Sequence, residues 1–383
     1  MTPFDFQPIT RVIFGAGKVD SVGDLAREWG GTRALVVSDS GVIAAGHTGR
    51  GLDALRRAGL ATEVFSGFHE NPSTDEIDAG LTVAQAFQPD IILGLGGGSS
   101  MDCAKGINFL FTNGGRMQDY WGVGKATKPM LPSIAIPTTS GTGSETQSFA
   151  LISDSKSHVK MACGDKKAAF RIAILDPALT VTQPARVTAL TGIDAIAHAL
   201  ESYVTTKRNA ASLAFSREAW QLLAPSFPEV LESPDSMGAR AGMQLGACFA
   251  GMAIENSMLG AAHALANPLT AEYGVVHGQA VGMMLPYVIR FNASVAGGMY
   301  TELLEATGGA AGFPDPKHGA AGLADFVQNL VAKAGLATHL SQLKIPRERL
   351  PALAEFAAKQ WTGNFNPRTV TAAEYLHVYE SAY

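Results

Sequence analysis

The first half of the chain alternates short β-branched runs with longer stretches of helical periodicity, and this alternation constrains the fold more than any other feature. The short runs are bounded by glycine or proline, as buried strands often are. They span residues 33–39, 61–65, 90–95 and 133–138. Stretches with helical spacing of apolar residues lie between them, at 19–29, 48–58, 74–87 and 100–111. Such alternation predicts a mainly parallel sheet with helices on both faces.

The second half is predicted to be helical throughout. Strand patterns end near residue 184, and stretches rich in Ala, Leu and Met with helical spacing then follow one another almost to Tyr383. A chain of 383 residues suits two domains, because a typical domain has about 100–200 residues. We therefore expect an α/β domain over residues 1–183 and an all-α domain over residues 184–383.

Charge and composition exclude several classes of partner. The formal net charge is −5 and there is no polybasic run, so we expect neither nucleic acid nor an anionic membrane surface as a partner. No apolar run approaches the roughly 20 residues that span a bilayer. The first residues lack the basic and apolar regions of a signal peptide, and the three cysteines are scattered. We expect a cytoplasmic protein without a disulfide framework or a cysteine-based zinc site.

Two glycine-rich turns follow neighbouring strands of the predicted sheet. Residues 93–104 (LGLGGGSSMDCA) place three consecutive glycines between a buried strand and a helix, and residues 137–145 (PTTSGTGSE) follow the next strand. Glycine lets the backbone approach a phosphate group, and a helix N-terminus offers free N–H groups. A simple tight turn is the alternative for the first segment. Neither segment is a P-loop or a strict G-x-G-x-x-G, so the motifs alone predict a nucleotide or another phosphate ligand.

Asp39 ends the first central strand, and the sequence leaves two roles open for it. Its carboxylate could accept hydrogen bonds from a ribose 2′-hydroxyl and repel a 2′-phosphate, which would favour NAD over NADP. Alternatively, Asp39 caps the helix or turn that follows.

One aspartate and three histidines in the second half form a candidate metal site. Asp194 and His198 are four residues apart, so both side chains lie on one face of a helix. His263 and His277 come from the next apolar helical stretches. A single buried histidine is usually a core residue with its own partners, but one cation would satisfy all four side chains together. Three imidazoles and a carboxylate suit Fe²⁺ or Zn²⁺ better than Ca²⁺ or Mg²⁺, and the sequence leaves iron and zinc open.

These motifs together resemble those of the iron-containing alcohol dehydrogenases, a family that includes lactaldehyde reductase and 1,3-propanediol dehydrogenase. Both glycine-rich turns, the Asp-x-x-x-His helix and the two later histidines occur in the family's order, and the likeness extends from residues 12–17 to residues 366–368. The resemblance implies a Rossmann-like dinucleotide-binding domain followed by a helical metal-binding domain. It also implies an NAD-dependent and metal-dependent alcohol dehydrogenase or aldehyde reductase that acts on a small alcohol or diol. We further expect a homo-oligomer, namely a dimer.

The resemblance assigns two sets of residues. The implied ligands of the divalent metal, Fe²⁺ or Zn²⁺, are Asp194, His198, His263 and His277. The implied NAD contacts are Asp39, Asn71, Gly97, Gly98, Ser99, Asp102, Thr138, Thr139, Thr142 and Lys160.

Asn267 is where the sequence departs from the family. Members commonly have a second histidine four residues after the third ligand, beside the reacting centre, and this chain has an asparagine there. An amide can hydrogen-bond but cannot exchange a proton near neutral pH, which argues against a proton route through this candidate catalytic position. The alternative is that Asn267 only caps a helix end before Pro268, where we expect a break in the helix.

The mechanism that follows uses the metal as a Lewis acid on the substrate oxygen while hydride passes between the substrate carbon and the nicotinamide. One alternative is an enzyme that resembles glycerol dehydrogenase or dehydroquinate synthase. A catalytically inactive nucleotide-binding protein is the alternative from another class, for which Asn267 is the only hint. Four intact ligand positions argue against it, because buried polar groups are costly to keep without a use.

Overall fold

The computed structural model describes residues 3–157, 159–307 and 312–383, which group into two compact units. One unit is Gln7–Gln183. The other is Pro184–Tyr383 together with the described residues up to Phe6. Within this second unit the ring of Phe6 lies 5.8 Å from the ring of Phe215, so the first described residues pack against the helical part of the chain.

Nine strands form two sheets in the described part of the first unit. They are β1 (Arg11–Phe14), β2 (Arg33–Val37), β3 (Ala61–Phe65), β4 (Ile91–Gly96), β5 (Gly122–Val123), β6 (Ser133–Pro137), β7 (Phe149–Ser153), β8 (Lys160–Gly164) and β9 (Ile172–Leu175). The larger sheet has the order β1-β9-β6-β4-β2-β3, and all of its strands are parallel. In its centre Val36 pairs with Leu93, which pairs with Ile134. These residues are fully buried, which explains the continuous apolar runs of the central strands.

The smaller sheet has the order β5-β8-β7, and the sequence patterns did not predict it. β8 runs antiparallel to β7 and parallel to β5. Along β7 Ala150 and Ile152 are buried and Leu151 between them is exposed, so only one face of this strand is covered.

The α-helices in the described part of the first unit are α1 (Val22–Glu28), α2 (Ser40–Ala44), α3 (His47–Arg57), α4 (Thr74–Phe87) and α5 (Gly98–Asn113). Four of these five helices lie where the apolar spacing places them, and the short α2 was not predicted from it. α4 begins with a capping box, in which the Ser73 side chain accepts from the Glu76 N–H and the Glu76 side chain accepts from the Ser73 N–H. α5 begins directly after β4, so its N-terminus lies at the carboxyl end of a central strand.

The described residues of the second unit contain helices and no strand, as predicted. The helices are α6 (Ala185–Val204), α7 (Ala210–Glu232), α8 (Met237–Glu255), α9 (Ala261–Tyr273), α10 (His277–Ala306), α11 (Gly319–Lys333), α12 (Leu350–Ala357) and α13 (Ala372–Ser381). α6 is buried on nearly all sides, with Ile193, Ile196 and Leu200 at most 1% exposed. A helix that is apolar all round lies in the middle of its domain, so polar side chains on α6 are inside the unit. Among the described residues, no helix combines the length and the apolarity that crossing a bilayer requires.

Candidate active site

Helix α6 presents Asp194 and His198 on one face, inside the helical unit. The Oδ1 atom of Asp194 and the Nε2 atom of His198 are 3.5 Å apart, and each residue is 6% exposed. The four-residue spacing produces this proximity directly, because side chains at i and i+4 lie one turn apart on the same face.

His263 and His277 complete the cluster from the two helices that follow. His263 is on the first turn of α9, and His277 is the first residue of α10. Their Nε2 atoms lie 3.5 Å and 3.8 Å from Asp194 Oδ1. The ring of His263 lies 5.0 Å from that of His198 and 5.4 Å from that of His277. All four side chains that the sequence singled out therefore lie together, and a third of the His277 side chain is exposed.

The cluster has the properties of a metal site. Asp194 Oδ1 and His263 Nε2 are buried and have no hydrogen-bond partner among the described residues. Donor atoms of Asp194, His263 and His277 all lie within 4.8 Å of one another. Donors bound tetrahedrally at about 2.0–2.2 Å from one ion would be roughly 3.3–3.6 Å apart, close to the separations observed. The donor set fits a divalent transition-metal ion, which would satisfy both unpaired atoms.

The charge balance of the cluster favours a cation. Burial alone raises the pKa of a carboxyl group, but the neighbouring histidines hold the pKa of Asp194 below its ordinary value. Burial likewise opposes protonation of His263, yet the carboxylates of Glu201 and Asp194 outweigh it and raise the pKa of His263 to about 9. A metal ion would displace that proton, because a ligating imidazole nitrogen must be deprotonated.

Glu201 belongs to the surroundings of this cluster, and the sequence analysis missed it. Its carboxylate is buried and contacts the Nδ1 atom of His263 at 2.5 Å, and it accepts a hydrogen bond from the Ala262 N–H at 2.6 Å. The spacing could have indicated it. Asp194, His198 and Glu201 are at positions i, i+4 and i+7, which share one helix face.

Asn267 lies one helical turn after His263, in the interior of α9. Its Nδ2 atom donates a hydrogen bond to Gln360 Oε1 at 2.9 Å. The expectation that Asn267 caps a helix end, with a break at Pro268, is wrong, because α9 continues to Tyr273 and ends at Gly274 with a φ of 63°. The half-buried amide is thus held by a second amide, and neither group titrates near neutral pH.

The first glycine-rich turn of the α/β unit forms the start of α5. Gly97 is the N-cap residue, without a side chain over the free N–H groups, and Gly98 is the first helical residue. A Cβ atom added to Gly98 would lie 2.8 Å from the Thr142 methyl carbon, and one added to Gly97 would lie 3.3 Å from the Thr139 methyl carbon. The two turns therefore approach each other as closely as glycine allows. A hydrogen bond of 2.9 Å from the Thr138 N–H to the Gly96 carbonyl joins them.

Asp39 is the N-cap of α2, as one of its two expected roles requires. Its Oδ1 atom accepts hydrogen bonds from the N–H groups of Gly41 and Val42 at 3.0 and 3.1 Å. Its Oδ2 atom accepts from the Ser100 hydroxyl on α5 at 3.2 Å. The carboxylate therefore lies beside the start of α5, and its contact with a ribose stays a prediction.

Asn71, Ser99 and Lys160 form a second group near the same turn. Asn71 has a φ of 57°, a left-handed conformation that asparagine tolerates better than most residues. Its N–H donates to the Ser99 hydroxyl at 3.2 Å, and its Oδ1 atom accepts from Lys160 Nζ at 2.8 Å. Three of the expected cofactor contacts are thus neighbours in space.

Lys105 connects the two glycine-rich turns and was not predicted. Its buried Nζ atom donates to the Ser144 carbonyl at 2.7 Å and to the Phe149 carbonyl at 2.8 Å. The Ser144 hydroxyl in turn donates to Asp102 Oδ1 at 2.8 Å. Burial outweighs the opposing effect of the Lys105 charge, so the pKa of Asp102 is raised and that of Glu145 is raised to about 7. Asp102 helps to hold the second turn, and its direct contact with a cofactor stays a prediction.

Comparison with known proteins extends the likeness to nearly the whole chain. Residues 9–177 match the family model described as iron-containing alcohol dehydrogenase, and residues 188–383 match the C-terminal domain of the same family. The NAD-dependent methanol dehydrogenase of Bacillus methanolicus is 31% identical over 386 residues, with both chains covered completely.

Solved structures agree with the sequence comparison. A 1,3-propanediol oxidoreductase has a TM-score of 0.95 at 31% identity, with full coverage of both chains. The sulfoacetaldehyde reductase of Bifidobacterium kashiwanohense, solved in complex with NAD⁺, has a TM-score of 0.90 at 27% identity and covers 100% of this chain and 99% of its own. Matches of this length, with the ligand cluster and both glycine-rich turns in place, confirm the resemblance: the chain belongs to the iron-containing alcohol dehydrogenase family.

Proposed function

We propose that the protein is an NAD-dependent alcohol dehydrogenase or aldehyde reductase that transfers hydride between a small alcohol or diol and nicotinamide. One Fe²⁺ ion would be held by Asp194, His198, His263 and His277. The observation that supports the metal site most is the pair of buried, unpaired atoms, Asp194 Oδ1 and His263 Nε2. When bound, the ion supplies Lewis-acid polarisation of the substrate oxygen.

The α/β unit, residues 7–183, would bind the dinucleotide. The start of α5 offers free backbone N–H groups beside Gly97 and Gly98, where a larger residue would be crowded by Thr139 and Thr142, and these N–H groups suit a pyrophosphate. The proposed contacts around this point are Asp39, Asn71, Gly97, Gly98, Ser99, Asp102, Thr138, Thr139, Thr142 and Lys160. The Asp39 carboxylate beside this turn would favour NAD over NADP, because it repels a 2′-phosphate.

Asn267 would serve the reaction by hydrogen bonding alone. Its amide is fixed by Gln360 and lies on the same helix face as His263. Since neither amide exchanges protons near neutral pH, the proton of the alcohol would leave by another route.

The proposal also includes a cytoplasmic location and a homodimeric state. The three cysteines, Cys103, Cys163 and Cys248, are free and buried, which suits a reducing compartment. The outer edge of β1 is a sheet edge within the described residues, and a second chain could cover such an edge. Sedimentation velocity showing only monomers at micromolar concentration would contradict the dimer.

The first experiment measures metal content and NADH formation together. Protein purified anaerobically with supplied iron should contain a single iron ion per chain and should form NADH, and much less NADPH, with a short alcohol or diol. His263→Ala should lose most of the iron, because three remaining ligands bind less tightly. His339→Ala is the matched control in the same unit, since His339 bonds to Thr338 outside the cluster.

Several outcomes would contradict this proposal. Wild-type protein without iron or zinc would reject the metal site, and equal use of NAD and NADP would reject the role of Asp39. Metal binding without net NADH from any alcohol of the panel would favour an enzyme that uses NAD only transiently, or an inactive nucleotide-binding protein.

A further inference from the structure

Glu201 makes two hydrogen bonds, one with a backbone N–H group and one with the ring of a proposed metal ligand. It lies on α6 and is 4% exposed. Its Oε1 atom accepts from the Ala262 N–H at 2.6 Å, and its Oε2 atom contacts His263 Nδ1 at 2.5 Å. The fit is tight, because a Cβ atom on Gly260 would lie 3.1 Å from Oε1. The carboxylate is therefore fixed in position before any ligand arrives.

The second of these bonds decides which nitrogen of His263 carries a proton. An ionised carboxylate has only acceptor atoms, so Nδ1 must be the donor in this contact. In the neutral ring Nε2 is then the unprotonated nitrogen. That atom is buried, lacks a hydrogen-bond partner among the described residues and lies 3.5 Å from Asp194 Oδ1.

We propose that Glu201 is a positioning residue for the metal centre. Its carboxylate holds His263 in the Nδ1–H tautomer, with Nε2 directed at the ion, and so sets the affinity of the site for the ion. The inference rests on the proposed metal site. Outer hydrogen bonds of this kind orient a ligating imidazole and increase its basicity.

A purely structural role for Glu201 is the competing explanation, since its Oε1 atom accepts from the first turn of α9. Asn366 makes the comparable contact, and within the described residues its side-chain hydrogen bonds go to Ala261, Asn292 and Arg368 rather than to His263. Its Oδ1 atom accepts from the Ala261 N–H at 3.3 Å and from Asn292 Nδ2 at 3.0 Å. Asn366 therefore provides a matched control that perturbs the start of α9 and leaves the His263 tautomer alone.

The test measures Zn²⁺ affinity, with Zn²⁺ as a redox-inert probe, by competition with a chromophoric chelator at equal concentrations of folded protein. Glu201→Gln keeps the size of the side chain and one acceptor oxygen. Its amide group, placed against Nδ1, favours the tautomer in which Nε2 is protonated and cannot bind metal. We expect Zn²⁺ affinity to fall about 10- to 100-fold. Asn366→Ala should lower the melting temperature and leave Zn²⁺ affinity at the wild-type value.

The outcomes separate this inference from the proposed function. Wild-type affinity in Glu201→Gln, or an equal loss in Glu201→Gln and Asn366→Ala, would overturn the positioning role while the metal site stands. Absence of Zn²⁺ binding by the wild type would reject the metal site itself, and the inference with it. If Glu201→Gln does not fold, Glu201→Asp replaces it, since its shorter side chain draws the carboxylate back from His263. Undiminished affinity in that variant would equally overturn the proposal.

Discussion

Asn267 is a non-titrating residue at the position where a histidine is common in the family. We predict that Asn267→His leaves the metal content unchanged, because the four proposed ligands are other residues. It should add an ionisation to the pH profile of kcat/KM near the ordinary histidine pKa of about 6.5. The profile of kcat/KM between pH 5 and pH 9, with metal analysis of the same samples, tests this.

Asn267→Ala is the matched variant that removes the amide without adding a titrating group. It breaks the hydrogen bond to Gln360, and this loss should lower the free energy of unfolding by on the order of 0.5–1.5 kcal/mol. If it abolished turnover as fully as His263→Ala while metal remained bound, Asn267 would be a direct participant in the reaction, against our expectation.

The four proposed ligands could be predicted because their chemistry is visible in the residue types. Asp194 and His198 share a face through local spacing, and His263 and His277 join them as further residues with metal-binding side chains. The i+7 spacing places Glu201 on the same face, but it does not reveal which groups the carboxylate contacts. Its partners, Ala262 and His263, lie 61 and 62 residues away, and carboxylates on helices are usually solvated.

At the level of elements, the start of α5 depends on the absence of a side chain at Gly98. In Gly98→Ala the new Cβ would lie 2.8 Å from the Thr142 methyl carbon, so the two glycine-rich turns must move apart. We predict a loss of about 1–3 kcal/mol in the free energy of unfolding, as for other overpacked sites, and a higher KM for NAD. Urea denaturation and NAD titration of initial rates measure the two effects.

Gly49→Ala is the control for this substitution. Gly49 lies in α3 of the same unit, and a Cβ atom there would have no neighbour within 4 Å. Alanine in an open helical position should stabilise by roughly 0.4–1 kcal/mol and leave KM for NAD unchanged. Equal behaviour of the two variants would contradict the steric argument.

The central strands and the helices α1, α3, α4 and α5 could be predicted from local patterns, whereas α2, the smaller sheet and the continuity of α9 could not. β5, β7 and β8 form a separate small sheet, in which β5 has two residues and β8 begins with a lysine and ends with a glycine, so the strand pattern is weak. α9 passes through Pro268 although proline inside a helix costs about 3 kcal/mol. Leu265 and Leu269, both fully buried, flank the proline, and their packing in the core outweighs that local cost.

At the scale of the whole molecule, one ion would link three helices, α6, α9 and α10. A ligand that binds only the folded state stabilises it, by about 2.7 kcal/mol when its free concentration is 100 times Kd. We predict that a chelator lowers the melting temperature. The difference in melting temperature between metal-loaded and chelated protein should be smaller at pH 6 than at pH 8, because protons compete for the ligating histidines as the pH falls. Calorimetry of both forms at the two pH values tests this.

His263→Ala provides the control for the calorimetry. Its melting temperature should be lower than that of the wild type and should respond only weakly to the chelator. A wild-type melting temperature that is the same with and without chelator at pH 8 would show that the ion contributes nothing to the stability of the helical unit.

The pairing of β1 with β9 has a consequence for the order in which the chain can fold on the ribosome. β1 is made early, yet its only sheet partner among the described residues is β9, where Arg11 pairs with Ile172. The nearby Thr10 hydroxyl likewise bonds to Phe170, 160 residues later. At a translation rate of about 5–20 residues per second, roughly 10–30 s pass between the synthesis of β1 and that of its partner β9. Of the strands in the larger sheet, β1 is thus the first to be translated and can join the sheet only after β9, the last of them, has been made.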